Sequence, residues 1–128
     1  MKVLIVDGYN AIHKIPEIDD SLDGSLEEAR SRITDLAKEY KRKDGGIAEV
    51  YVVFDGKDEY RELSFDKPNQ IFSKTGEGDR KVIRLAQEKS DVFHVIVASD
   101  DNRVGNSCRA AGATVISIRK FYEFIRKS

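Results

Sequence analysis

Short apolar runs alternate along the chain with longer amphipathic segments. Five segments have the length and composition of strands: Val3–Val6, Val50–Phe54, Gln70–Ser73, Val95–Ala98 and Thr114–Ile118. Three of them are nearly continuous apolar runs, which is typical of strands covered on both faces, and Gln70–Ser73 is expected at an edge. The pattern therefore predicts a mostly parallel central sheet of about five strands.

Helical periodicity fills the intervals between these strands. The clearest helix begins at Ser25, where Glu28 three residues later completes a capping box, and ends at Gly45-Gly46. Its inward stripe has a 3.6-residue period and consists of Leu26, Ala29, Ile33, Leu36, Ala37 and Tyr40. Shorter helical patterns surround Val82–Ala86, Val104–Ala111 and Phe121–Ile125. Strands alternating with helices predict an α/β fold, formed by residues 1–128 as one domain.

Acidic residues stand where the predicted strands end. Asp7 ends the first strand, Asp55 follows the Val50–Phe54 strand, and Asp100-Asp101 comes after Val95–Ala98. Parallel strands direct these ends to one edge, which is where ligands bind in such sheets. Asp79, on the inward stripe of the helix around Val82–Ala86, adds another carboxylate, and Asn10, in the turn after the first strand, adds an amide oxygen. The candidate metal ligands are Asp7, Asn10, Asp55, Asp79, Asp100 and Asp101.

This convergence of carboxylates favours a bound cation. Each aspartate taken alone is equally well explained as a helix cap or a strand end. Two like charges about 4 Å apart, however, repel by about 4 kcal/mol at an effective dielectric of 20. No cysteine pair or histidine cluster indicates zinc, whereas carboxylate and amide oxygens suit Mg²⁺ or Mn²⁺. The residues thus predict metal-assisted phosphoryl chemistry, with His13 a weaker candidate for assistance.

Composition adds a location and two basic segments. The chain has a net charge of −1 although 35% of its residues are charged, because the two signs nearly cancel. The overall charge therefore does not indicate a polyanionic partner. Lys38–Lys43 and Arg119–Lys127 each carry four cations and one acid, and each is either a phosphate contact or a solvated helix face. The single cysteine, Cys108, is expected in the core, and a cytoplasmic location without a membrane partner is expected. No pattern specifies an oligomeric state.

Four motifs, in this order, resemble the NYN domain and most closely its bacterial YacP-like branch, within the PIN and FLAP-nuclease group. They are Ile5–His13, Val53–Gly56, Phe72–Asp79 and Ala98–Asp101. The resemblance covers essentially the whole chain. It implies a three-layer PIN-like fold and a divalent-metal endoribonuclease with a role in mRNA turnover or in RNA processing near the ribosome, which is a candidate partner.

The resemblance also assigns roles to the acids. Asp7, Asn10, Asp79 and Asp100 match metal-site positions of the family, with Asp101 beside them, and Asp55 matches an acid of FLAP-type relatives. Asp7, Asp79 and Asp100 are the expected catalytic residues. Cations around these acids are expected to contact RNA phosphates, and Tyr9 and Tyr60 to stack on bases of a single strand. The expected phosphate contacts are Lys57, Arg61, Lys74, Arg80, Lys81, Arg84 and Arg103.

Other classes of function fit less well. A non-catalytic PIN-like RNA-binding module remains an alternative, although such a module would not need several acidic residues close together at one edge of the sheet. A phospho-receiver would be labelled at Asp55, but two acids stand at Asp100-Asp101, where receivers place a small hydroxyl residue. A dinucleotide-binding module lacks its third glycine, because Lys81 holds that position. No Gly-rich loop ends in Lys-Ser or Lys-Thr, which excludes a P-loop NTPase.

Overall fold

The computed structural model describes residues 1–19, 25–56 and 69–127. Five strands alternate with six helices in this part of the chain. In chain order they are β1 (Lys2–Asp7), α1 (Gly8–Lys14), α2 (Pro16–Asp19), α3 (Leu26–Lys43), β2 (Ile47–Phe54), β3 (Gln70–Phe72), α4 (Gly78–Lys89), β4 (His94–Ala98), α5 (Asn102–Ala110), β5 (Thr114–Ile116) and α6 (Ile118–Arg126).

The strands form one parallel sheet in the order β3-β2-β1-β4-β5. The central strand β1 is fully buried from Val3 to Val6 because helices cover both of its faces. Leu4 and Val6 pack with residues of α1, α3 and α6, whereas Val3 and Ile5 pack with residues of α4 and α5. The α/β fold with a five-stranded parallel sheet is confirmed, and the short strand β3 lies at an edge as predicted.

Local signals place the boundary of α3 correctly. Ser25 Oγ accepts a hydrogen bond from the Glu28 backbone N–H at 3.0 Å, as the capping box predicts. The helix is amphipathic and 18 residues long. Within the described ranges no helix combines the length and hydropathy required to cross a bilayer.

Several details of the predicted elements were wrong. The strand predicted to begin at Val50 begins at Ile47, and the strand predicted to end at Ser73 ends at Phe72. The strand predicted to run to Ile118 ends at Ile116, because Ser117 caps α6 by accepting a bond from the Lys120 N–H, which makes Ile118 the first helical residue. Asn10 and His13, expected in a turn, lie in the seven-residue helix α1. The Asp7 side chain makes no capping bond to α1, and the helix is held by buried Ala11 and Ile12.

Cys108 is fully buried on α5, and burial raises the pKa of its thiol to about 11. It is a core residue, as predicted.

Candidate active-site cleft

A cleft of about 260 Å³ opens at the carboxyl ends of β1 and β2, beside the N-termini of α4 and α5. Four of the predicted acids line this acidic cleft together with one predicted amide. Its lining consists of Asp7, Tyr9, Asn10, His13, Val53, Asp55, Gly78, Asp79 and Asp101. These residues come from four separate segments of the chain, which the parallel sheet and the helices packed on it bring together.

Asp7, the last residue of β1, carries the most perturbed carboxyl of the cleft. Burial raises its pKa to about 6, against a lowering by its hydrogen bond with Ser99, and the charges of Asp79 and Asp101 raise it further. Ser99 is buried; its hydroxyl donates to Asp7 Oδ2 at 2.9 Å and accepts from the Asp101 backbone N–H at 3.1 Å. Ser99 therefore ties the start of α5 to the end of β1.

Asp79 lies in the first turn of α4 and faces the other acids. Its pKa is raised by burial first and by the charge of Asp101 next, and is lowered by Arg103. Asp55 is held by its Oδ1, which accepts from the Gly76 N–H at 2.8 Å. The two elements approach so closely that a Cβ added to Gly78 would stand 2.8 Å from the Asp55 Cβ. Glycine at the start of α4 thus permits the approach of Asp55.

The neighbouring acids after β4 divide their roles. Asp101 lines the cleft and caps α5, because its Oδ1 accepts from the N–H groups of Arg103 at 2.9 Å and Val104 at 3.1 Å. Asp100 is exposed and lies outside the lining of the cleft. Its Oδ1 accepts from the Ile118 N–H at 2.9 Å at the start of α6, and its own N–H donates to Asn10 Oδ1 at 2.8 Å.

The donor set of the cleft fits a hard divalent cation in chemistry, since carboxylate and amide oxygens are the ligands of Mg²⁺ and Mn²⁺. No three His, Cys, Asp or Glu side chains in the described part of the chain stand in an arrangement that could hold an ion by themselves. An ion here would therefore rely on fewer protein carboxylates together with amide or water oxygens, which Mg²⁺ commonly retains.

Arg30 is a residue of this site that sequence reasoning missed. It is only 8% exposed, and its Nε and Nη2 donate to the Tyr9 hydroxyl at 3.0 and 2.7 Å. Its guanidinium also lies 5.3–5.9 Å from the ring centres of Tyr9, Phe54 and Phe72. No carboxylate of the described residues pairs with it. A cation on the otherwise apolar stripe of α3, one turn before Ile33, was the available signal.

The buried guanidinium fixes Tyr9 as a wall of the acidic cleft, so the ring predicted to stack on a base is held in a defined position. Ser99 was missed too; its hydroxyl, directly after a buried strand and before two acids, was the available signal.

The predicted phosphate contacts surround the cleft at a distance. Lys74, Arg80, Arg84 and Arg103 are exposed and Lys81 is half-buried, and none of the five lines the cleft. Arg80 is 3.9 Å from Glu77, and the charge of Arg103 acts on Asp79. The remaining predicted contacts, Lys57, Arg61 and Tyr60, lie outside the described residues.

Comparison with known proteins gives consistent matches. The sequence profile of the YacP-like NYN domain matches residues 4–128. "Uncharacterized protein YacP" of Bacillus subtilis (strain 168) is 34% identical over 106 residues, which are 79% of this chain and 61% of that relative. The chain thus spans about three fifths of the length of this curated relative.

Two crystal structures of Rae1 (YacP) from Bacillus subtilis share the fold. A mutant form superposes with a TM-score of 0.81 at 30% identity, covering 98% of this chain and 76% of that one. The other structure gives a TM-score of 0.78 at 29% identity, covering 98% and 74%.

Proposed function

Because the chain belongs to the family of YacP-like NYN domains, we propose that it is a divalent-metal-dependent endoribonuclease that cuts single-stranded RNA. The observation that carries the proposal is the crowding of Asp7, Asp79 and Asp101 in one cleft, where each neighbouring charge raises the pKa of Asp7. Such a cluster costs free energy unless a cation or protons neutralise it. NYN and PIN-like domains are nucleases that usually work with such cations, and RNA is the substrate class that this membership suggests.

Asp7 together with Asp79 or Asp101 would hold Mg²⁺ or Mn²⁺, and Asn10 and water oxygens would complete the ligand set, with Asp55 beside them. When bound, the ion supplies Lewis-acid stabilisation of the phosphodiester and a more acidic water. Ser99 orients the Asp7 carboxylate through its hydroxyl. Because Asp100 Oδ1 accepts from the Ile118 N–H at the start of α6, and the backbone N–H of Asp100 is what holds Asn10 Oδ1, we give the ligand position to Asp101.

The protein's own groups also bind and orient the RNA in this proposal. Exposed cations on α4 and α5, among them Arg84 and Arg103, attract the phosphates without reading sequence. The Tyr9 ring, fixed by Arg30, offers a stacking surface beside the acids, as single-strand binding requires. Work on the ribosome, which the family resemblance implies, stays a prediction; co-sedimentation of the protein with ribosomes tests it.

The test is cleavage of an unstructured, fluorophore-labelled RNA with Mg²⁺, Mn²⁺ or a chelator. We expect Asp7→Asn, Asp79→Asn and Asp101→Asn to lower the rate by at least about 100-fold, since a metal supplies several kcal/mol of transition-state stabilisation. The matched control is Asp91→Asn, which removes one exposed carboxylate far from the cleft lining.

Comparing Asp100→Asn with Asp101→Asn distinguishes the roles of the two aspartates that follow β4. We expect a smaller loss for Asp100→Asn than for Asp101→Asn, below the roughly 10-fold that marks the lower end for groups that orient ligands, because the backbone N–H that holds Asn10 is kept and the asparagine oxygen can still accept from the Ile118 N–H. Absence of cleavage by the wild type with either metal, or a rate for Asp7→Asn equal to that of the wild type, would refute the proposal. RNA binding without cleavage would instead support the alternative of a non-catalytic RNA-binding module.

A further inference from the structure

A second cleft, of about 410 Å³, lies where the end of α3 meets the first half of β2. This basic cleft is lined by Lys38, Lys41, Arg42, Gly45, Ile47, Val50 and Asn69. Val50 of this lining and Val53 of the acidic cleft both lie on β2. These two residues are three positions apart, which is about 10 Å along the strand.

The three cations of the basic cleft are exposed, and no described carboxylate forms an ion pair with them. Cations in a last helical turn stabilise the helix dipole, which is a sufficient reason for Lys41 and Arg42. Lys38 stands more than a turn before the end of α3, so the dipole does not explain it. The charges are therefore concentrated at the cleft beyond what the helix end requires.

Glu49, whose carboxyl is affected by the charge of Lys41, is already engaged by other partners. The pKa of Glu49 is lowered first by its bond with Lys89 and next by its bond with Tyr51, and the charge of Lys41 acts least. Lys89 Nζ lies 2.9 Å from Glu49 Oε1. Tyr51 donates its hydroxyl to the same oxygen at 2.8 Å. The cations of the basic cleft thus keep most of their capacity for another anion.

Besides its cations, the basic cleft has apolar and amide side chains in its lining, which a site for a simple anion would not need. Ile47 and Val50 are buried side chains that give the cleft an apolar floor. Asn69 Nδ2 donates to the Val50 carbonyl at 2.9 Å, which holds the amide in place. Its Oδ1 has no hydrogen bond from the described residues and can accept from an N–H group. A cationic rim, an apolar floor and one amide acceptor match the phosphate, the ring face and the ring edge of a nucleotide.

We propose that the basic cleft binds single-stranded RNA, with backbone phosphates at Lys38, Lys41 and Arg42 and a base over the apolar floor. This inference rests on the proposed function, because the site would hold the RNA strand next to the segment that contains the bond to be cut. The acidic cleft repels the same backbone until its charge is neutralised, so the basic cleft supplies the affinity that the cutting site lacks.

The test is a salt titration of binding, measured by fluorescence anisotropy with a labelled oligouridylate of about sixteen nucleotides. All proteins carry Asp7→Asn and are kept in a chelator, so that binding is measured without cleavage. The test variant is Lys38→Gln/Lys41→Gln/Arg42→Gln, and the control Lys14→Gln/Arg109→Gln removes two exposed cations outside both clefts. A third variant, Lys38→Arg/Lys41→Arg/Arg42→Lys, keeps the charge.

We expect the test variant to lose about 2 in the slope of log affinity against log salt, because each phosphate contact on a single strand contributes about 0.7. The charge-keeping variant and the control should retain the slope. A change smaller than one contact, an equal loss in the control, or no binding by the parent protein would overturn the inference. All the cations exchanged are exposed, and circular dichroism verifies that each variant is folded.

The failure of this inference is distinguishable from failure of the proposed function. If the basic cleft contributes to binding but wild-type protein cuts no RNA, the inference stands and the nuclease proposal falls. If cleavage depends on Asp7 while the triple exchange leaves binding unchanged, the nuclease proposal stands and the basic cleft is a solvated surface.

Discussion

Replacing Asp7 by asparagine should stabilise the metal-free protein while abolishing its activity. Burial, together with the charges of Asp79 and Asp101, raises the pKa of Asp7 from 3.8 to about 6 in the folded state. Each pKa unit corresponds to about 1.4 kcal/mol, so the ionised carboxylate costs up to about 3 kcal/mol at neutral pH. Asparagine removes the charge and keeps an oxygen that can accept from Ser99.

The sign of the pH effect follows from proton linkage. The folded protein binds the Asp7 proton more tightly than the unfolded chain, so this group makes the fold less stable as pH rises from about 3.8 to above 6. Asp44 and Glu49, whose pKa values are lowered by their lysine partners, act in the opposite direction. The contribution of Asp7 is therefore obtained from the difference between wild type and Asp7→Asn.

The assay is denaturant unfolding in a chelator at about pH 8 and about pH 5. We expect Asp7→Asn to exceed the wild type in free energy of unfolding by about 2–3 kcal/mol at the higher pH, and by clearly less at the lower pH. Excess Mg²⁺ or Mn²⁺ should stabilise the wild type more than the variant, because ligand binding to the folded state adds stability. The same stability difference between variant and wild type at the two pH values, or a variant less stable than the wild type at high pH, would contradict the assigned cost.

Two further substitutions test the walls of the acidic cleft. Gly78→Ala brings a Cβ to 2.8 Å from the Asp55 Cβ and should cost about 1–3 kcal/mol in unfolding free energy as well as activity, whereas Gly45→Ala meets nothing within 4 Å and should leave the unfolding free energy unchanged. Similar melting curves for the two alanine variants would refute the close approach. Tyr9→Phe leaves the Arg30 guanidinium without its acceptor and should cost about 1–3 kcal/mol. In a double-mutant cycle with Arg30→Met, additive losses of stability would argue against the pairing.

Much of the fold was predictable from local pattern. The apolar runs and the 3.6-residue stripes report which faces are buried, and their alternation leaves few topologies open. The convergence of Asp7, Asp55 and Asp79 followed as well, because parallel strands end at one edge and Asp79 lies on the inward stripe of its helix. What could not be predicted concerns contacts within and between these elements.

Asp100 and Asp101 show where local pattern ends. They are adjacent in sequence, yet only Asp101 lines the acidic cleft. Packing of α6 decides which of the two lines the cleft, because the Ile118 N–H donates a hydrogen bond to the Asp100 carboxylate. The backbone N–H of Asp100 also donates to Asn10, which lies 90 positions away in the sequence. Helix α1 similarly lacks a capping side chain and is stabilised by burial of Ala11 and Ile12.

The sequence by itself determined the α/β class, the order of elements and the edge at which the acids gather, because these depend on periodicity and on the common direction of parallel strands. Only the tertiary structure decided which side chains line the clefts. It joined Ser99 to Asp7 across 92 positions, enclosed Arg30 among aromatic rings, and brought Asn69 to the cations of α3. Such contacts depend on packing between distant segments, which no local period encodes.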